Sequence, residues 1–274
     1  MRLKAKKTLG QNFLKNKKVL EKMIKAGEIE KDELVLEIGP GKGVLTAELL
    51  LVAKRVIAIE KDSRLIPFLE EKFKQEIHSG KLQLFEADAL ELDYEKLNLV
   101  NQDFIVVANL PYYITGKFLS STLSNDIQPK KIVLLLQKEI VERITGEERQ
   151  NGKMKNNNKE NILSVSVKVY GEPYYVTTVS RKNFNPEPNV DSAVLAIYNV
   201  SKGFFQKNKI SEKEFFEFVK LAFGNKRKTL MKNLSQKFEK QKVEQILIKQ
   251  KIDIRVRAED LSVSQLKEIF IDLK

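Results

Sequence analysis

Leu34-Val35-Leu36-Glu37-Ile38-Gly39-Pro40-Gly41-Lys42-Gly43 is the stretch that decides the fold. Its first half is an apolar strand that runs straight into a glycine-rich turn, and Val44 to Val52 continues as a helical segment. Strand, glycine turn and helix form a nucleotide-type pocket, because glycine tolerates positive φ and lets the backbone approach a ligand closely. A glycine turn without a ligand is the alternative. Downstream the pattern repeats. Val56 to Glu60, Leu82 to Glu86, Phe104 to Ala108 and Lys131 to Gln137 read as strands, with helices at about Ser63 to Phe73 and Thr115 to Leu123. Such alternation predicts an α/β fold with a parallel, doubly wound sheet whose ligands bind beyond the carboxyl ends of its strands.

Candidate site residues fall at those ends. The turn has the spacing G-x-G-x-G, not the G-x-G-x-x-G of dinucleotide enzymes, and Glu37 stands just before it. A carboxylate there repels a pyrophosphate and attracts the cationic amino group of S-adenosylmethionine. Glu60 ends the second strand about 20 residues after Gly39, where an acid accepts hydrogen bonds from ribose hydroxyls. Asp88 follows the third strand, placed either to accept from an adenine amine or to cap the turn before Leu90. The fourth strand delivers Asn109-Leu110-Pro111-Tyr112. Pro111 keeps Leu110 extended, so the Leu110 carbonyl and the Asn109 side chain are two acceptors for a planar amine, with Tyr112 as a stacking ring. An ordinary turn is the other reading of that tetrapeptide. Phe184-Asn185-Pro186-Glu187-Pro188 is a stiff loop that either presents Phe184 as a second stacking ring or buries it as an anchor.

The 274 residues allow two domains, taken as 1–198 and 199–274. There is no cysteine, which excludes disulfides, zinc-thiolate sites and a Cys nucleophile, and no metal site is expected. The single histidine, His78, lies in a polar stretch read as an inert surface loop. Net charge is +12, but residues 1–18 hold seven Lys/Arg and no acid, and 199–274 hold 18 Lys/Arg against 10 Asp/Glu. Two basic ends around a slightly acidic middle suit an anionic polymer, although basic excess also serves solubility. Asn225-Lys226-Arg227-Lys228 is either a phosphate footprint or a solvated face. Residues 147–160 are polar and read as a mobile insertion. Ile162 to Tyr170 alternates like a strand, Tyr174 to Val179 and Ala193 to Tyr198 read as strands, and helical sequence follows. No run suits a bilayer span or a secretory signal, so a cytoplasmic protein without a membrane partner is expected.

The ensemble resembles the ribosomal RNA adenine N6,N6-dimethyltransferase family, in its bacterial small-subunit branch. The resemblance rests on Leu9-Gly-Gln-Asn-Phe-Leu14, Glu37 to Gly43, Ile59-Glu60, Asp88-Ala-Leu90, Asn109-Leu-Pro-Tyr-Tyr-Ile114, Gln137-Lys-Glu139, Phe184-x-Pro-x-Pro-x-Val-Asp-Ser192, Asn225 to Lys228 and Arg257-Ala-Glu-Asp-Leu-Ser262. It implies a Rossmann-like S-adenosylmethionine-dependent methyltransferase domain with a basic N-terminal arm, and a small all-helical C-terminal RNA-binding domain. It also implies a helix, not a strand, at 162–170. Asn12, Leu14, Gly39, Gly41, Glu60, Asp88 and Asn109 are then expected at the cofactor, and Asn109, Leu110, Tyr112 and Phe184 at the target. The implied reaction dimethylates two adjacent adenines in the 3′-terminal hairpin loop of small-subunit rRNA within a pre-assembled 30S particle, carried out by a monomer. Two positions depart from the family's pattern. Glu160-Asn161 stands where Tyr-Gly is usual, and Lys61 stands where an apolar residue is usual. Alternatives are a large-subunit rRNA or DNA adenine methyltransferase, a non-enzymatic ribosome assembly factor, and a dehydrogenase.

Overall fold

The computed structural model describes residue 6 and residues 9–150, 153–156 and 159–274. Most of the basic arm (1–5, 7 and 8), and residues 151, 152, 157 and 158 of the polar stretch, lie outside the described residues. The chain forms two compact units, Met1–Val141 with Glu172–Val200, and Glu142–Gly171 with Ser201–Lys274.

The first unit begins with β1 (Phe13–Leu14), α1 (Lys17–Gly27), β2 (Leu34–Ile38), α2 (Val44–Val52) and β3 (Arg55–Glu60). It continues through α3 (Ile66–Lys72), α4 (Lys74–His78), β4 (Leu82–Glu86), β5 (Phe104–Asn109), α5 (Thr115–Leu123) and β6 (Lys131–Gln137). Next along the chain come α6 (Lys138–Thr145), within which the two units divide, and then β7 (Glu147–Gln150), β8 (Lys153–Asn156) and α7 (Ile162–Lys168) of the second unit. The first unit is completed by β9 (Glu172–Val179), β10 (Phe184–Asn185) and β11 (Ser192–Tyr198).

Seven strands form one sheet in the order β4-β3-β2-β5-β6-β11-β9. The first five run parallel. Their central members are continuous apolar runs, Val56 to Ile59, Phe104 to Ala108 and Ile132 to Leu136, all buried, as strands covered on both faces require. The sheet is not wholly parallel as expected. β11 runs antiparallel to β6, with Ser192 opposite Gln137, and β9 runs antiparallel to β11. Register on β2 aligns Ile38 with Ile59 and with Ala108, so Gly39, Glu60 and Asn109 leave the sheet side by side.

Three local expectations change. The helix expected from Ser63 starts at Ile66 and breaks at Phe73 (φ −115°, ψ 29°) before resuming as α4. His78 is the last residue of α4, not part of a loop. Residues 147–150 and 153–156, expected to lack structure, form the antiparallel pair β7 and β8 with Glu147 opposite Asn156.

The second unit contains α8 (Gly203–Asn208), α9 (Glu212–Ala222), α10 (Leu230–Leu234), α11 (Lys240–Lys249) and α12 (Val263–Leu273). The domain boundary drawn from sequence needs correction, because residues 142–171 belong with this unit. Contacts between distant parts of the sequence explain it. The Glu160 N–H donates to the Glu259 carbonyl (2.7 Å), the Ser201 N–H donates to the Tyr170 carbonyl (2.7 Å), and the Tyr170 ring packs 5.3 Å from Phe205. The strand-like alternation of Val165, Val167 and Val169 resolves into a helix at Val165 and Val167, with Val169 just past its end; all three are buried. Asn161, one of the departures from the family pattern, starts that helix through a capping box with Ser164. Ser262 makes the same motif with Gln265 at the start of α12. Phe215, Phe218 and Phe270 form the aromatic centre of this unit, with centroids 5.2–6.2 Å apart. Among the described residues no helix is long and apolar enough to cross a membrane.

Two features under the glycine turn affect stability. Gly43 has φ 66°, and a Cβ built there meets the Phe73 ring at 2.4 Å. Gly43→Ala is expected to destabilise the protein by ~2–4 kcal/mol, combining left-handed strain with overpacking, as read from the urea midpoint. Glu37 shares the α2-facing side of β2 with core residue Val35, since strand residues alternate faces, and is completely buried beside Thr46 with neither carboxylate oxygen hydrogen-bonded. Burial pushes its pKa up to about 8, only partly offset by Thr46, so the side chain is neutral at pH 7. An acid raised in the folded state binds a proton that the unfolded chain has already lost, so this group lowers stability as pH rises from about 4.5 to about 8. Glu37→Gln is therefore expected to match the wild-type melting temperature near pH 4.5 and to exceed it by several degrees at pH 8, with the gap opening between those values.

Candidate active site

A single cavity gathers the carboxyl ends of β2, β3, β4 and β5 together with the segment Leu9 to Leu14. Its lining includes Asn12, Leu14, Gly39, Gly41, Glu60, Asp88, Asn109, Leu110 and Tyr112, so nine of the ten expected site residues meet there. Phe184 does not. It is 3% exposed in the core, held by the pairing of β10 with β1 that sets Phe184 opposite Leu14. The buried-anchor reading of Phe184 is the one observed, and its expected place as a stacking ring is corrected. Glu37 is also absent from the lining, because it faces away from the cavity while its neighbour Ile38 faces it.

The glycine turn is braced from the end of β3. Glu60 accepts from the Gly41 N–H (3.0 Å) and from the Asp62 N–H (2.8 Å), one on each carboxylate oxygen. Burial raises its pKa while these two donors oppose the rise. Each oxygen keeps a further lone pair, so bracing the turn leaves room for a hydroxyl ligand. Asp62 is clamped in turn by Arg64, whose Nε and Nη2 lie 2.8 and 2.6 Å from its oxygens, and it accepts from Gln11 Nε2 at 2.9 Å. The Arg64 guanidinium holds its pKa down at about 2. Through Gln11 this cluster ties the segment Leu9 to Leu14 over the turn. The Phe13 ring lies 3.0 Å from where a Cβ on Gly41 would sit, so a side chain there would crowd the ring as well as strain the left-handed backbone (φ 59°), and Lys42 Nζ stands 4.9 Å from that ring.

Of the two roles weighed from sequence for Asp88, the turn cap is the one seen in the structure. One oxygen caps the following turn through the Leu90 N–H (3.0 Å), and the other pairs with Lys61 Nζ (2.5 Å). The Leu90 N–H first, and Lys61 second, keep it below the usual carboxylate range. Lys61, the second departure from the family pattern, thus stands at the rim of the same cavity.

Asn109 ends β5. Its Nδ2 donates to the Asn12 carbonyl (3.1 Å), and its Oδ1 accepts no hydrogen bond from the described residues. Pro111 has φ −57° and ψ 133°, which releases the chain from the sheet. The Leu110 carbonyl likewise has no partner among the described residues. Two free acceptors therefore stand on adjacent residues. Tyr112 is half-buried with its hydroxyl 2.8 Å from Ser192 Oγ, which fixes its ring, and burial raises its pKa. Tyr113 is 62% exposed at the cavity mouth.

Sequence reasoning missed Gln11, Asp62 and Ser192 as supports of the site. The signals were present, since Gln11 and Ser192 lie inside the quoted motifs and Asp62 stands two residues after Glu60. Their partners, however, are far away in the chain.

The residues present fit S-adenosylmethionine. A Cβ on Gly39 would meet only the Asn109 carbonyl, at 3.8 Å, so the backbone is open to a ligand there. Glu60 and Asp88 retain acceptor capacity for hydroxyls and an amine, and Ile38, Val44, Leu45, Ala87 and Ala89 supply apolar walls. Among the described residues no cluster of potential metal ligands occurs.

A family model described as ribosomal RNA adenine dimethylase matches residues 2–274. The chain is similar to the ribosomal RNA small subunit methyltransferase A of Fusobacterium nucleatum, with 38% identity over 98% of this chain and 97% of that protein. Its similarity to the protein of that name from Mycoplasma capricolum is 35%, again over 98% and 97%. Among solved structures it resembles a dimethyladenosine transferase from Plasmodium falciparum, with TM-score 0.72 and 26% identity over 94% of this chain and 95% of that one. The 23S rRNA methyltransferase ErmE superposes with TM-score 0.74 at 24% identity over 96% and 99%, a likeness of fold. The α/β Rossmann-like architecture with a helical C-terminal region is thus that of methyltransferases, and the chain belongs to the ribosomal RNA adenine dimethylase family.

Proposed function

We propose that this protein uses S-adenosylmethionine to dimethylate the N6 amines of two adjacent adenines in the 3′-terminal hairpin loop of small-subunit rRNA. It acts as a monomer on a pre-assembled 30S particle in the cytoplasm, during small-subunit biogenesis. The observation that carries this reading is the pair of free acceptors, Asn109 Oδ1 and the Leu110 carbonyl, in one cavity with the braced glycine turn, Glu60 and Asp88. The names of the curated relatives support the small subunit as substrate.

S-adenosylmethionine, when bound, supplies an electrophilic methyl group. The chain's own residues prepare the acceptor. An aromatic amine is a poor nucleophile while its lone pair is delocalised into the ring. In the first transfer the two acceptors at Asn109 and Leu110 bind its two N–H groups, in the second one of them binds the single N–H that remains, and each favours the pyramidal, partly positive nitrogen of the transition state. The Tyr112 ring, locked through Ser192, fixes the plane of the base and hence the line of attack. No strong base is needed. Glu60 takes the ribose hydroxyls and Asp88 the adenine amine of the cofactor, each through lone pairs not used by the protein. The C-terminal unit, with Asn225 to Lys228, grips rRNA phosphates.

Labelled methyl transfer to small subunits lacking the modification is expected to yield N6,N6-dimethyladenine, with none on large subunits or duplex DNA. Binding to small subunits without transfer would favour a non-enzymatic assembly factor. Asn109→Ala is expected to lower kcat about 100-fold, the loss typical of one oriented partner in the transition state. Tyr112→Phe, which keeps the ring, should stay within about fivefold of wild type, whereas Tyr112→Ala should lose about 10- to 100-fold through lost stacking. Steady-state kinetics on purified small subunits checks both.

A further inference from the structure

The glycine turn is held from below by a side chain that no sequence motif singles out. Lys72 is the last residue of α3, and the chain breaks at Phe73 immediately after it. That break turns the Phe73 ring under Gly43 and sends the Lys72 ammonium to two backbone carbonyls of the turn, Lys42 O at 2.8 Å and Gly43 O at 2.9 Å. The Lys42 carbonyl has no other partner among the described residues. The Gly43 carbonyl receives only a long first helical bond, from the Ala47 N–H at 3.3 Å.

This matters because the turn is intrinsically loose. Gly39, Gly41 and Gly43 all sit at positive φ (72°, 59° and 66°), and glycine pays the largest backbone entropy to hold one conformation. Peptide units are planar, so fixing two successive carbonyls fixes the planes of peptides 42–43 and 43–44 and with them the start of α2. Glu60 holds the Gly41 N–H on one side, and Lys72 holds the next two carbonyls on the other.

We propose that Lys72 is a positioning residue for the cofactor: it touches no ligand, but latches the carbonyls of Lys42 and Gly43 so that the glycine turn is held in the shape that receives S-adenosylmethionine. The inference rests on the cofactor reading of this cavity. Its effect is on population, since a turn that spends one tenth of its time in the receiving shape binds about tenfold more weakly.

The test is calorimetric titration of S-adenosylmethionine into the full-length protein, with methyl-transfer kinetics on small subunits. Lys72→Met is expected to raise Kd and the cofactor KM together by about tenfold, with kcat at saturating cofactor within about twofold of wild type. Lys72→Arg, which can reach both carbonyls, should restore most of the affinity, and Lys72→Gln, with a neutral amide donor, should fall between. The Gln variant carries the test if the Met variant does not fold. A lower melting temperature with wild-type Kd and KM in these variants would make Lys72 merely structural and overturn the proposal. Failure of the wild type itself to bind S-adenosylmethionine would overturn the cofactor reading, and this proposal with it.

Discussion

The carboxylate of Glu60 is the point on which the site depends. It leaves the sheet at the end of β3 and accepts from the backbone of Gly41, tying the glycine turn to a fixed point. The sheet supplies that fixed point. Its central parallel strands are buried on both faces, and their register aligns the last residues of β2, β3 and β5 across neighbouring positions. A charged acceptor with two backbone donors is among the stronger interactions available at a half-dry site, and its strength grows as water is excluded. A ligand in the cavity would therefore meet a turn that is already shaped.

Around that contact the supports are layered by charge. Asp62, clamped by Arg64, continues from the same strand end and draws Gln11 down, so the segment Leu9 to Leu14 covers the turn from above. β1 then pairs with β10, which closes this layer but also places Phe184 in the core. One pairing thus both completes the cavity wall at Leu14 and withdraws a ring that isolated sequence logic would put in the cleft. Glu37 shows the reverse economy. It reads as a ligand for a cation, yet the strand's alternation turns it inward, where desolvation keeps it protonated.

The departures from the family pattern have local explanations. Asn161 stands where the family's pattern has glycine and caps a helix, and the polar stretch before it contains the antiparallel pair β7 and β8. Lys61 keeps the cavity rim by pairing with Asp88, which turns an apolar wall position into half of an ion pair. Neither change touches the acceptors at Asn109 and Leu110.

Much of this was legible in sequence, because it is local. β2, α2, β4, α5 and β6 have the limits that apolar runs, glycines and prolines mark, and the family is written in short motifs whose spacing is set by strand ends and turns. The carboxyl-end clustering of Gly39, Glu60, Asp88 and Asn109 follows from the alternation of strand and helix, whereas Asn12 was expected there only through the family resemblance and is brought in by contacts of the segment Leu9 to Leu14 with Asp62 and Asn109. Other features were decided only by tertiary structure: the burial of Phe184, the neutral state of Glu37, the antiparallel β11 and β9, the membership of residues 142–171 in the second unit, and the Asp62 cluster. Each depends on a partner distant along the chain. Val165, Val167 and Val169 make the reason plain. Their alternation is a valid strand signal, but burial against a helical unit and an Asn161 cap outweigh β-propensity. Periodicity records which side of a residue is apolar, and only the packed neighbour determines what that side meets.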